Sequence, residues 1–125
     1  MIAALTPELA SLVSARPASR LIDGPNLSVV EVPEILLPAG WSATVTTVWF
    51  AVPNGYPAAQ PDCFWAEPTL RLATGALPQN SGLQGLPVIG APGLWFSWHL
   101  SAWRPGRDGL VSYVRFITRR FADVR

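Results

Sequence analysis

The sequence predicts an α+β fold with an N-terminal helix, a four-stranded antiparallel meander, a long active-site loop and a C-terminal helix. Apolar residues recur at helical spacing only near the two ends of the chain. Between them lie β-branched and aromatic runs separated by turn residues, followed by a stretch rich in Gly and Pro. Strands and helices segregated along a chain are typical of a sheet whose core face is covered by helices.

The first predicted helix is the segment "LTPELASLVSA". Thr6 is a suitable N-cap and Pro7 fits the first helical position, where its missing N–H costs nothing. Its apolar face is formed by Leu9, Leu12 and Val13. These features predict a short amphipathic helix.

The strands follow in the middle of the chain. "NLSVVEVPEILL" and "TVTTVWFAV" are rich in β-branched and aromatic residues, and the turn signal "PAGW" lies between them. They are therefore predicted to be neighbouring antiparallel strands, with an edge or a bulge at Pro33. The alternation in "TLRLAT" predicts a further strand.

The segment from Gly75 to Gly93 has Gly and Pro at short intervals and little periodicity, so it is predicted to be the long irregular loop. The last predicted helix is "RDGLVSYVRFITRRF", with Asp108 near its start and arginines in its last turns, as the helix dipole favours. Its apolar stripe consists of Leu110, Val114, Ile117 and Phe121.

Composition limits the function. The 125 residues match one domain, 1–125, with 50% apolar and only 14% charged residues. The net charge of +1 and the lack of a basic stripe argue against nucleic acid or a lipid surface as partner. The apolar runs are too short to cross a membrane, and the N-terminus does not resemble a signal peptide. The single cysteine fits a reducing cytoplasm, and one cysteine with one histidine does not make a zinc site, so neither a metal nor a cofactor is expected.

Four segments taken in order carry a resemblance: "GYPAAQPDCFW", "LPQNS", "WFSWH" and "WRPGRDGLVSYV". Tyr56-Pro57 with Pro61 resembles the strand-turn signature of ubiquitin-conjugating-enzyme (UBC) and RWD folds, and Trp103 begins a similar Trp-x-Pro element. Together they resemble the prokaryotic ubiquitin-conjugating-enzyme-like family E. The resemblance implies a UBC-like domain that works with a ubiquitin-like protein and a ThiF-type adenylating activating enzyme. It also implies a JAB-type peptidase in the same pathway, in gene sets linked to antiphage defence.

The resemblance also implies the site. The bacterial family pairs a cysteine soon after the Tyr-Pro motif with a downstream histidine, here Cys63 and His99, and Asn80 falls where standard conjugating enzymes place an oxyanion-stabilising asparagine. Asp62 either orients His99 or caps the turn after Pro61, and turn capping is favoured. The chain departs from the standard pattern, because the position eight residues before Trp103 holds Trp95 instead of the catalytic cysteine.

The expected chemistry is attack by the Cys63 thiolate on an acyl group, with His99 taking the thiol proton, and onward transfer to an amine. Ser97 and Ser101 flank His99 and are alternative nucleophiles. In the competing interpretation the protein is a noncatalytic adaptor that binds the activating enzyme or the ubiquitin-like protein, and Cys63 is only packed. The chain has nine arginines and no lysine, which fits either a GC-rich genome or avoidance of self-modification.

Overall fold

The structure, a computed structural model, describes residues 5–125, and side chains from Pro7 onward. The side chain of Thr6, the predicted N-cap, lies outside the described residues. Two helices and six strands follow one another as α1 Leu5–Ala15, β1 Arg20–Ile22, β2 Leu27–Leu36, β3 Val45–Pro53, β4 Phe64–Ala66, β5 Ser81–Gly85, β6 Pro92–Phe96 and α2 Leu110–Ala122. The predicted α+β class and both helices are confirmed. In the described part of the chain, neither helix is long and apolar enough to cross a bilayer.

The strands form one antiparallel sheet in the order β1-β2-β3-β4-β6-β5. The pairing of β2 with β3 confirms the two predicted neighbouring strands. Their register shifts between Val32 and Ile35, which is the irregularity that Pro33 predicts, and Glu34 beside it has a φ of 62°. Tyr56-Pro57 lies in the turn after β3 with a cis peptide bond.

The core lies between one face of the sheet and helix α2. Phe50, Phe64 and Phe96 project from the sheet and are fully buried. They meet α2 through aromatic contacts, with the Phe50 and Tyr113 rings 4.8 Å apart and the Phe64 and Phe121 rings 5.6 Å apart. Helix α1 packs beside α2 and buries Leu12. The predicted apolar stripe of α2 is buried throughout, at Leu110, Val114, Ile117 and Phe121.

The sheet has six strands, so the predicted four-stranded meander is wrong. The supposed loop from Gly75 to Gly93 contains β5, and β6 begins at its end at Pro92. These strands pair with each other, and β6 also pairs with β4, so β6, the last strand in sequence, lies between β4 and β5 in the sheet. The Gly and Pro residues that suggested an irregular loop build a hairpin, because backbone pairing with a neighbour supplies the order that local periodicity does not show.

"TLRLAT" is not a strand, and Leu72 makes only an isolated bridge to Trp41. Its apparent alternation has another cause. Leu70 is buried, whereas the Arg71 guanidinium donates hydrogen bonds to the carbonyls of Pro68 and Leu70 and so stays close to its own turn.

Candidate active site

Cys63 lies immediately before β4 and is the residue on which the candidate site is centred. The residue is 8% exposed and has a φ of 58°, in the left-handed region that non-glycine residues seldom adopt. Its carbonyl accepts a hydrogen bond of 2.8 Å from the hydroxyl of Tyr113, which is fully buried on α2. Helix α2 therefore holds the backbone of Cys63 in a conformation that costs energy.

His99 follows β6 and contacts three polar side chains. Its Nδ1 is 2.6 Å from Asp62 Oδ1 and 4.0 Å from Cys63 Sγ, and its Nε2 is 3.4 Å from Ser97 Oγ. The side chains of His99 and Asp62 are 59% and 58% exposed, so this pair faces solvent beside the buried thiol. The structure thus brings Cys63, His99 and Asp62 together.

The short contact to Asp62 determines how His99 can act. A proton on Nδ1 is donated to the Asp62 carboxylate, so the nitrogen nearest the sulfur is a donor and the free acceptor is Nε2. In this arrangement Nδ1 faces the sulfur as an N–H donor and is not placed to accept the thiol proton. Among the described residues, the Asp62 side chain contacts His99 and bonds to no turn N–H, so the turn cap is not formed, and an orienting role of Asp62 stays a prediction.

Strand register aligns the candidate residues in one row. Phe64 faces Phe96, which in turn faces Ser81. One residue beyond these pairs, at the ends of β4, β6 and β5, are Cys63, Ser97 and Asn80, and Ser97 N–H donates to the Asn80 carbonyl at 2.7 Å. Only the main chain of Asn80 is engaged in this way, and its oxyanion role stays a prediction. Ser101 is exposed, and no hydrogen bond of the described residues links it to His99.

The environment of Cys63 acts on its pKa in both directions. Burial raises the pKa of the thiol most strongly, and the negative charge of Asp62 raises it further. Hydrogen bonds from the backbone N–H of Trp98 and from the side chain of Trp95 lower it, without reversing the net upward shift. The resting group is therefore a thiol, and the two N–H donors stabilise negative charge on the sulfur once it forms.

Cys63, His99 and Asp62 also have the ligand atoms that a transition metal requires. One ligand atom from each lies within 4.8 Å of the others. One cysteine and one histidine do not make a zinc site, but the Asp62 carboxylate adds a third ligand. Three protein ligands with an open fourth position match the pattern of catalytic zinc sites, so a zinc ion and the acyl-transfer chemistry would compete for the same thiolate.

The site rests on a half-buried set of hydrogen bonds that the sequence did not predict. Tyr56 donates a hydrogen bond to the Glu8 carboxylate, which also accepts from the N–H of Leu110 at the start of α2. Trp103 donates to the carbonyl of Pro57 at 2.8 Å. The Tyr-Pro turn is thereby tied to both helices and to the Trp-x-Pro element, which fixes the approach of the chain to Cys63.

Trp95 is the second feature that the sequence did not explain. Its position eight residues before Trp103 is where the standard pattern expects the nucleophile, and it carries an indole instead. The structure puts this indole beside Cys63, in register with Trp65 of β4. The only sequence signal was the spacing itself, because contact with the sulfur depends on the pairing of β4 with β6.

The family model of prokaryotic E2 family E matches residues 20–123 of the chain. This range includes every strand and Cys63, Asn80, Ser97 and His99. No curated protein and no solved structure matches the chain.

Proposed function

The chain belongs to prokaryotic E2 family E, which gives it a ubiquitin-conjugating-like role in general, and from this premise we propose a specific reaction. Cys63 accepts the C-terminal acyl group of a ubiquitin-like protein from the thioester of a ThiF-type activating enzyme and passes it to an amine. The observation that carries the proposal is the approach of His99 Nδ1 to Cys63 Sγ, 4.0 Å, with Asp62 on the same nitrogen.

The acyl group is transferred in two steps. The Cys63 thiol first loses its proton to solvent. Its thiolate then attacks the thioester carbonyl, the new carbon–sulfur bond forms, and the bond to the activating enzyme's sulfur breaks, so that this sulfur leaves as a thiolate and takes a proton from solvent. An amine then attacks the Cys63 thioester, loses a proton and releases Cys63 as a thiolate. The Nδ1–H of His99 and the N–H donors of Trp98 and Trp95 support the charge on sulfur in both steps.

The lack of lysine supports a role as a carrier. With nine arginines and no lysine, the chain offers no side-chain amine to which an acyl group on Cys63 could be lost. We further propose that the pathway includes a JAB-type peptidase and acts in antiphage defence, as the family resemblance implies.

A second candidate nucleophile is supported by one contact. Asp62 bonds to Nδ1 of His99, and Nε2 is 3.4 Å from Ser97 Oγ, which is the order of groups in a serine nucleophile activated by His and Asp. Acyl transfer to Ser97 would give an oxyester instead of a thioester. Cys63 is preferred because a thiolate is the stronger nucleophile and the N–H donors of Trp95 and Trp98 face its sulfur.

The test uses the activating enzyme and ubiquitin-like protein of the same genome with ATP. We expect an adduct of the two proteins that thiol reductant cleaves and that Cys63→Ala abolishes. His99→Ala removes an N–H donor to the sulfur and should slow formation of the adduct by roughly 10²- to 10³-fold. Ser101→Ala is the matched control, because Ser101 flanks His99 in sequence without bonding to it, and should load at the wild-type rate.

Two results would contradict thioester transfer. A reductant-resistant adduct that Ser97→Ala abolishes would make Ser97 the nucleophile. Binding to the activating enzyme or to the ubiquitin-like protein without any adduct would make the protein a noncatalytic adaptor, with Cys63 part of the packing.

A further inference from the structure

The edge strand β5 offers an unused hydrogen-bonding surface next to the candidate active site. The sheet ends in β1 on one side and β5 on the other. Strand β5 runs from Ser81 to Gly85 and has β6 as its neighbour on one side only. Its other side exposes main chain, and such an edge is a template for a further strand.

The hydrogen bonds at both ends of β5 identify the groups that face outward. Ser97 N–H donates to the carbonyl of Asn80, and Leu86 N–H donates to the carbonyl of Ala91. In an antiparallel pair, successive residues alternate between facing the neighbour and facing away. Since Asn80 and Leu86 face β6, Gly82 and Gln84 do so as well. The N–H and C=O groups that point away from the sheet are those of Ser81, Leu83 and Gly85.

Nothing in the composition of β5 protects this edge. Natural edge strands are commonly guarded by charged residues or proline, and "SGLQG" contains neither. Leu83 is 61% exposed although it lies opposite Leu94, which is fully buried on the core face. The Leu83 side chain is therefore an exposed apolar group at the edge of the sheet. There is also open space beside Gly82, where an added Cβ would meet no atom within 4 Å.

The N-terminal end of the β5 edge lies next to the candidate site. The N-terminal end of β5 is Ser81, adjacent to Asn80 in the row that continues through Ser97 to Cys63. A strand added outside β5 would lie three strand spacings from Cys63, or about 14 Å. An extended chain covers that distance in four to five residues at roughly 3.3 Å each.

We infer that the β5 edge binds the extended C-terminal tail of the acyl donor by antiparallel strand addition, so that the tail's last residues reach Cys63. This inference rests on the proposed function and names the surface that receives its substrate. The direction of the bound tail follows from the direction of β5. Strand β5 runs away from the site, so a tail whose C-terminus leaves at Ser81 runs antiparallel to it. About nine residues suffice, with four or five on the edge and the rest crossing to Cys63.

A second copy of this chain is the competing occupant. Two five-residue strands paired edge to edge would bury roughly a few hundred Å², well below the roughly 1,200 Å² of stable interfaces. A tail gains a second point of attachment at Cys63, which raises the effective concentration of the tail at the edge. The position of the edge beside the site therefore favours the tail.

The experiment titrates a synthetic ten-residue peptide into the ¹⁵N-labelled full chain. The peptide carries β-branched residues followed by two glycines, which can pass close to the bulky site. We expect amide shifts at Ser81, Leu83 and Gly85 and slowed hydrogen exchange of the Leu83 N–H. Leu83→Pro removes one outward N–H without removing a bond to β6, and Leu83→Ala is its control. The peptide should bind about 3- to 10-fold more weakly to the proline variant than to the alanine variant, as loss of one hydrogen bond predicts.

Each outcome decides the inference. If Leu83→Pro does not fold, Gly85→Pro removes the next outward N–H and takes its place, and the exchange measurement on the wild-type chain needs no variant. Shifts confined to other surfaces, or no protection of Leu83, would overturn the inference. Protection that appears without peptide, together with a dimeric mass, would assign the edge to a second copy and overturn it too.

The same peptide as a C-terminal thioester separates this inference from the proposed function. Protection of the edge without acylation of Cys63 would sustain the docking surface and remove the support for thioester transfer. Acylation of Cys63 at equal rates in Leu83→Pro and Leu83→Ala would sustain the transfer and overturn the docking surface.

Discussion

Tyr113→Phe tests whether α2 controls the conformation of Cys63. The substitution removes the hydroxyl that donates a 2.8 Å hydrogen bond to the Cys63 carbonyl and leaves the ring in place. Tyr113 is fully buried and Cys63 is 8% exposed, so the carbonyl loses its partner where water has little access. An unsatisfied buried group of this kind costs about 1–3 kcal/mol. Relaxation of Cys63 from its φ of 58° recovers part of this.

We therefore expect the free energy of unfolding to fall by about 1–2 kcal/mol in urea denaturation. Because the loss is local to Cys63, alkylation of the thiol by iodoacetamide should accelerate by up to about tenfold, the factor that corresponds to 1.4 kcal/mol. Tyr56→Phe is the matched control, since it removes the chain's other phenol hydroxyl, which bonds to Glu8 instead. It should also lower stability and leave the alkylation rate unchanged. Unchanged stability of Tyr113→Phe, or equal acceleration in both variants, would refute the reasoning.

Three further predictions follow from the charges and ligand atoms. Burial raises the pKa of both tyrosines, Tyr56 and Tyr113, so the folded protein should show no tyrosinate absorbance near pH 10. Because their protonated forms are favoured by folding, stability should be lost as pH rises above about 10, and a tyrosinate signal that precedes unfolding would contradict this. Asp62→Asn should lower the pKa of Cys63, which the Asp62 charge raises, and so move the pH profile of alkylation to lower pH; a shift to higher pH would be evidence against that electrostatic cause. Added zinc should protect Cys63 from alkylation, because Asp62, Cys63 and His99 each offer a ligand atom within 4.8 Å of the others. A zinc-selective chelator should leave acyl transfer unchanged, and loss of transfer with the chelator would instead indicate a metal centre.

The sequence predicted the parts of the fold that local patterns encode. The apolar stripe of α2 and the β-branched runs of β2 and β3 mark these elements within their own residues. Strands β5 and β6 are different, because their order depends on pairing with each other and with β4. Gly82 and Pro92 argue against strands locally, and only the finished sheet accommodates them.

The candidate site, like the fold, could be predicted from the sequence only in part. Cys63 and His99 were selected through the resemblance, and the structure places their sulfur and ring nitrogen 4.0 Å apart. The sequence could not give the contact of His99 with Ser97 or the position of Trp95 beside Cys63, since both depend on the register of β4 against β6. The competition of Asp62 and Cys63 for one nitrogen is likewise a property of side-chain geometry.

The central claim is that Cys63 carries the acyl group, and the chain allows one digest to test it. Trypsin cuts after arginine, except before proline, so Cys63 falls in the peptide 21–71 and both Ser97 and Ser101 fall in the peptide 72–107. The adduct formed with the activating enzyme, the ubiquitin-like protein and ATP is digested at mildly acidic pH and mapped by tandem mass spectrometry. The account predicts a reductant-labile modification on 21–71 at Cys63. A reductant-stable modification on 72–107 would contradict it.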